Sequence, residues 1–401
     1  MTAAERSSRW ARRFVFAGAV FLVVWQVGEL AGIARRSGVT LGLLGFVFHT
    51  VFGKAYSLVP TYFDRDLATT RLMPVQFGLS IAGTALLAVD GAFPNSAVAS
   101  VDVPAGAAGA ILWAGGVAVF LGTIGWTIRD NLSGAATGTG EHNADRRAVD
   151  RLANLFVPVA LLYLGVGSYA LLAAETGLPV LADGYPPRGT HLLAAGSGAL
   201  LVFAVGFRLL PRFLVAAPSR LLVALVLPAG ALGPALLAAD LPAGRWFRAG
   251  AVLQALAVGG FALAFWLLYV QSDRCRVGFY GVLAATLAGV LAVALGLAFA
   301  VDAPTTDLVS AHRRLTVLGF LGLTIVGVSY QFYPPGVGTF PGAGDRTALV
   351  AIALLFGGLL VEVGGLALDA TLVVAAGRVA GVAGAATHCF LLAGLFRERY
   401  G

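Results

Sequence analysis

Long apolar runs alternate with short polar breaks along the whole chain, and the length of the runs decides what they can be. An α-helix rises about 1.5 Å per residue, so crossing a hydrocarbon core takes ~20 mostly apolar residues. Runs of that length, each closed by charges or a Pro/Gly cluster, fall at about 13–33, 38–62, 74–92, 105–127, 152–175, 190–211, 218–238, 246–270, 277–301, 310–333, 346–367 and 371–396. We number them spans 1 to 12. They predict an all-α integral membrane protein with one transmembrane domain over residues 1–401 and no second soluble domain. The longest polar stretch, 129–151, holds Arg129, Arg146, Arg147 and Arg151 and is expected to be a flexible loop. The basic start (Arg6, Arg9, Arg12, Arg13) runs into span 1 without a small-residue cleavage pattern, so no cleavable leader is expected.

Composition agrees: 58% of residues are hydrophobic and 12% charged, with a mean hydropathy of +0.86. A soluble domain carries roughly 25% charged residues, so this chain has no polar coat to dissolve in. Charges are costly in hydrocarbon and collect between spans, which turns the net charge of +7 into a topology signal. Of the 27 basic residues, 17 fall on the side that holds both termini and 8 on the other, with Lys54 and Arg208 inside spans. Both termini are therefore expected in the cytoplasm of a cell-membrane, multi-pass protein whose first partner is the lipid bilayer. Lys54 is the only lysine, so there is no lysine-rich surface for nucleic acid. Cys275 and Cys389 form neither a disulfide framework nor a CxxC pair. Nucleotide-binding and hydrolase motifs do not occur in a supporting context.

Three spans end alike: Gly53-Lys-Ala-Tyr-Ser-Leu-Val-Pro60, Ala204-Val-Gly-Phe-Arg-Leu-Leu-Pro211 and Gly327-Val-Ser-Tyr-Gln-Phe-Tyr-Pro334. Each has a small residue seven before the proline and an aromatic four before it (Tyr56, Phe207, Tyr330). These are spans 2, 6 and 10, so the repeat unit is four helices, about 1–128, 150–270 and 277–401. The proline is expected to end each helix, and the small residue to admit a neighbouring helix or a flat cofactor. Two of the three also open alike. His191 lies 20 residues before Pro211 and His312 lies 22 before Pro334, each followed seven residues later by glycine (Gly198, Gly319). The first repeat has Gly38 at that place and His49 eleven residues deeper.

Twelve helices in three four-helix arcs, with metal-site histidines on spans 2, 6 and 10, resemble subunit I of the haem-copper oxidases and their NnrS-type relatives. The segment Asp307-Leu-Val-Ser-Ala-His-Arg-Arg-Leu-Thr-Val-Leu-Gly319, continuing to Pro334, carries the likeness best. Leu58-Val-Pro60 to Arg71-Leu72 also resembles the oxidases, and His191 to Phe213 resembles the NnrS relatives. The resemblance implies that His312 is the proximal ligand of a haem, with Arg313 and Arg314 near haem propionates and Tyr330 in the aromatic stretch beside it. The departures are equally informative. Arg314 stands where the family has its second histidine, Gly38 where that histidine's partner falls, Ala195 where a tyrosine follows the span-6 histidine, and residues 218–238 contain no histidine for copper. At most one haem or a simpler metal site on His312 and His191 is implied, copper is not expected, and a complete oxygen-reducing centre is excluded. Sensing, handling or electron transfer to a small gaseous ligand such as nitric oxide or oxygen is then expected, with oxidase-complex subunits as candidate partners. The alternative is a cofactor-free proton or ion transporter, or an oxidase-assembly factor, that keeps only the fold.

His49 and His388 lie deeper, ~17 and ~25 Å along their helices. In a ring of three arcs, spans 11, 12, 1 and 2 meet where the ring closes, and that seam also holds Glu29, Glu362 and Lys54. A lone charge at such depth costs about 2.5–3.5 kcal/mol even on the milder insertion scale, so these groups are expected to turn inward and pair. A common polar pocket containing His49 and at least one of Glu29, Glu362 and His388 is expected, whether as a packing network, a bis-histidine haem site or a proton relay.

Overall fold

The computed structural model describes residues 3–93, 97–98 and 103–400, and among them are twelve helices long and apolar enough to cross a membrane. The chain is a polytopic membrane protein. Spans 1 to 4 are Ala3–Leu30, Arg35–Tyr62, Met73–Ala92 and Ala105–Ile128. Spans 5 to 8 are Arg147–Thr176, Pro186–Leu214, Arg220–Asp240 and Arg245–Val270. Spans 9 to 12 are Val277–Phe299, 306–332, Asp345–Ala367 and Thr371–Tyr400. Every apolar run of the sequence is one helix.

Spans 2, 6 and 10 form the interior. In their most apolar windows 83, 83 and 78% of residues are buried, against 33–50% in the other nine. These three also carry a wide-turned π-helical stretch, at Thr40–Phe48, Leu192–Ala199 and Leu315–Gly322. The three stretches touch one another pairwise. π-Helical turns are rare and tend to sit at functional sites, because the widened ladder redirects side chains and leaves carbonyls free. Outside this interior, spans 3 and 4, 7 and 8, and 11 and 12 pack as antiparallel hairpins. Contacts of span 4 with 5, span 8 with 9 and span 12 with 1 close the outer layer around the interior.

Lipid tails are as apolar as leucine, so helices associate here by close packing and polar contacts rather than by expelling water. Small residues permit the approach. A Cβ on Gly53 would lie 2.6 Å from the Ala11 carbonyl of span 1, and one on Gly327 would lie 2.5 Å from the Gly278 carbonyl of span 9. The small residue that opens each terminal motif of spans 2 and 10 therefore admits a neighbouring helix.

Two expectations are corrected. Pro60 and Pro211 do not end their helices, which continue to Tyr62 and Leu214, whereas span 10 stops at Phe332 before Pro334. Each proline costs the helix one N–H donor, but with only two or three residues following it the last turn still forms. The 129–151 stretch is not a loop throughout: a short 3₁₀ turn covers Glu141–Arg146 and span 5 starts at Arg147. The reason is Asp150, which is 1% exposed because two arginines of span 6 hold it, a partnership that hydropathy does not register.

Candidate functional site

Four of the five histidines were singled out in the sequence, and the structure divides them among three environments. His191 and His312 come together near the N-terminal ends of spans 6 and 10. Their ring centroids are 6.4 Å apart and the planes lie within 19° of parallel. Nδ1 of His191 donates to the Pro187 carbonyl at 2.8 Å, and Nδ1 of His312 to the Ala292 carbonyl of span 9 at 2.9 Å. A carbonyl only accepts, so each Nδ1 carries the proton and each Nε2 is left with a lone pair. Fixing one ring nitrogen by an outer acceptor is how proteins orient imidazoles for metal. Phe299 stands edge-on to His312 at 5.6 Å.

His49 sits apart, at the end of the π-helical stretch of span 2. Its Nδ1 donates to the Leu44 carbonyl at 2.9 Å, and its fully buried Nε2 makes no hydrogen bond. The surrounding rings are Phe14 and Phe21 of span 1, Phe52 of its own helix and Trp113 of span 4. His388 is buried in span 12 and meets the Tyr330 hydroxyl through Nδ1 at 3.0 Å. Tyr330 thus serves a histidine of a neighbouring helix.

The acids expected to share a polar pocket with His49 pair instead with arginines of span 10, and none of Glu29, Glu362 and His388 shares a hydrogen bond or ring contact with His49. Arg313 grips both oxygens of Glu29 at 2.5 and 3.0 Å, and the Trp25 indole donates to the same carboxylate at 2.9 Å. Arg314 lies 2.7 Å from Glu362, which also receives Arg378 at 3.0 Å, and Arg314 donates to Gln26 at 2.8 Å. Glu362 is 0% exposed and Arg314 1%. The physical reason is depth. Glu29 is one residue from the C-terminal end of span 1, level with the arginines in the first turns of span 10, whereas Lys54 lies toward the C-terminal end of span 2. The two guanidinium groups that the family resemblance offered to haem propionates are therefore already paired.

Lys54 makes no ion pair among the described residues. Its ammonium rests 3.4 Å above the Phe332 ring centroid and 5.1 Å from that of Tyr333.

One cluster was missed by sequence reasoning. Asp150 is held by Arg212 at 2.5 Å and lies 3.4 Å from Arg208. Arg208 also donates to the Tyr62 carbonyl at 2.8 Å and to the Asn154 side-chain oxygen, and stacks on the Tyr62 ring at 4.0 Å. A signal was present: an arginine inside an apolar run needs a partner, and Asp150 and Asn154 lie four residues apart on one helical face. Among the described residues, no three His, Cys, Asp or Glu side chains gather as a metal-binding group. No protein-family model matches the chain, and no curated protein matches it in sequence.

Proposed function

We propose that the chain is a haem-copper-oxidase-like or NnrS-like membrane protein, built of three four-helix arcs. On this reading His191 and His312 hold one haem iron or metal ion, and the protein senses, carries or detoxifies a small ligand rather than respiring. The imidazole pair carries the reading. The two rings lie 6.4 Å apart and near-parallel, each held through Nδ1 so that its Nε2 keeps a lone pair. Two ligands are too few for a closed zinc site, which takes four, but would be enough to hold an iron whose remaining ligands a haem supplies. Support for the three arcs comes from the matching π-helical stretches of spans 2, 6 and 10. A bound iron would supply one-electron transfer, or binding of a diatomic ligand in the place of one imidazole; the chain's part is to fix both rings through Nδ1.

A second reading, a cofactor-free transporter or assembly factor, is favoured by a different observation. Arg313 and Arg314 are taken by carboxylates, and the histidine pair lines neither the central cleft nor the pocket beside spans 11 and 12. An absorption spectrum and metal analysis of the purified protein decide. A Soret band or one bound metal, lost in both His191→Ala and His312→Ala, is the expected outcome. A colourless, metal-free protein would replace the first reading with the second.

A further inference from the structure

Between spans 2, 6 and 10 lies a cleft of about 120 Å³. It is smaller than the ~150 Å³ engineered cavity that stays dry and accepts benzene. That is room for a segment of one hydrocarbon chain. Its walls are aliphatic and aromatic, with Val51 and Leu58 from span 2, Leu201 and Val205 from span 6, and Ile325 and Val328 from span 10. Two threonines line it, but Thr50 and Thr324 donate to the Phe46 and Phe320 carbonyls of their own helices at 3.0 and 2.7 Å. Lys54 is the one charged residue in the lining. The membrane-level basic residues Arg208, Arg313 and Arg314 all face carboxylates, whereas Lys54 has only aromatic faces. A ring face attracts an ammonium but does not neutralise it. An apolar slot with one uncompensated cation is complementary to an amphipathic anion.

We propose that this cleft binds one single-chain carboxylate of the fatty-acid type, with its head group on Lys54 Nζ and its alkyl chain between spans 2, 6 and 10. The site shares no residue with the histidine pair, so it stands or falls separately from the metal reading.

The test is binding of dansyl-undecanoate to the full chain in phosphatidylcholine nanodiscs. Saturable one-to-one binding is expected, displaced by dodecanoate and poorly by dodecanol. Lys54→Met should weaken it at least about tenfold, as loss of a hydrogen bond to a charged group does. Lys54→Arg should retain it, and Val205→Phe, which fills the cleft and leaves the lysine, should abolish it. His191→Ala should leave it unchanged. Should Lys54→Met fail to fold, the Lys54→Arg and Val205→Phe variants still decide. Wild-type binding in Val205→Phe, or equal displacement by dodecanol, overturns the proposal. Displacement by nanodisc phosphatidylglycerol but not by dodecanoate overturns it too, and marks a lipid-headgroup site instead.

Discussion

Replacing Glu362 by leucine removes the acceptor on which the arginines of two helices converge. Glu362 is fully buried, with Arg314 of span 10 at 2.7 Å and Arg378 of span 12 at 3.0 Å. In Glu362→Leu, Arg314 keeps Gln26 alone, and its charge is left uncompensated at 1% exposure. Breaking a buried pair from one side costs about 3–5 kcal/mol, because the remaining ion stays desolvated. Arg314→Met is expected to cost less, about 1.5–3 kcal/mol, since it removes hydrogen bonds to a charge that still has Arg378. The side chain of Arg378 is 23% exposed, so it can bring water to the carboxylate. The double variant should return to within ~1 kcal/mol of the parent, because the fully buried charges are then both gone and Arg378, 23% exposed, is left to water. Denaturant unfolding in bicelles of the parent, both single variants and the double variant closes the cycle. Equal losses in the two single variants, or a double variant whose loss is their sum, would refute the assignment of Glu362 as the shared acceptor.

Four further outcomes are expected. Gly327→Leu drives a side chain into the Gly278 carbonyl of span 9, and should cost about 1–3 kcal/mol in the same unfolding assay. Gly357→Ala, where an added Cβ meets nothing within 4 Å, should be close to neutral. Cys275, exposed between spans 8 and 9, should react with an impermeant maleimide in intact cells only after permeabilisation; labelling without it places this side outside and reverses the orientation drawn from the arginines. In the loop before span 6, the hydrogen bond from Arg188 lowers the Asp183 carboxyl to about 2. A depressed folded pKa adds stability above the unfolded value of about 3.9 and loses it as pH falls toward the folded one, so the protection of amides around Tyr185, taken relative to their intrinsic exchange rate at each pH, should be steady above pH ~5 and fall between ~4 and ~2.

The sequence by itself determined the class of protein and the approximate position of each of the twelve long helices. Hydrocarbon thickness sets a run length, and backbone groups in lipid have no partner except their own helix, so each apolar run became one helix. It also pointed to spans 2, 6 and 10 through their shared endings, and His191 and His312 through matching spacing. Which groups touch was left to the tertiary structure. Glu29, Glu362 and Lys54 were assembled from their neighbourhood in a ring, but a carboxylate pairs with the nearest cation at its own depth, and for both acids that cation is on span 10. Arg313 and Arg314, which the family likeness offers to a cofactor, are consumed by that pairing. Asp150 was hidden in an apparent loop because its partners are about 60 residues away on span 6. The cleft that isolates Lys54 exists only because three helices, each ordinary in hydropathy, meet around it. Hydropathy is a sum along the chain, whereas pairing and cavities depend on distances across it.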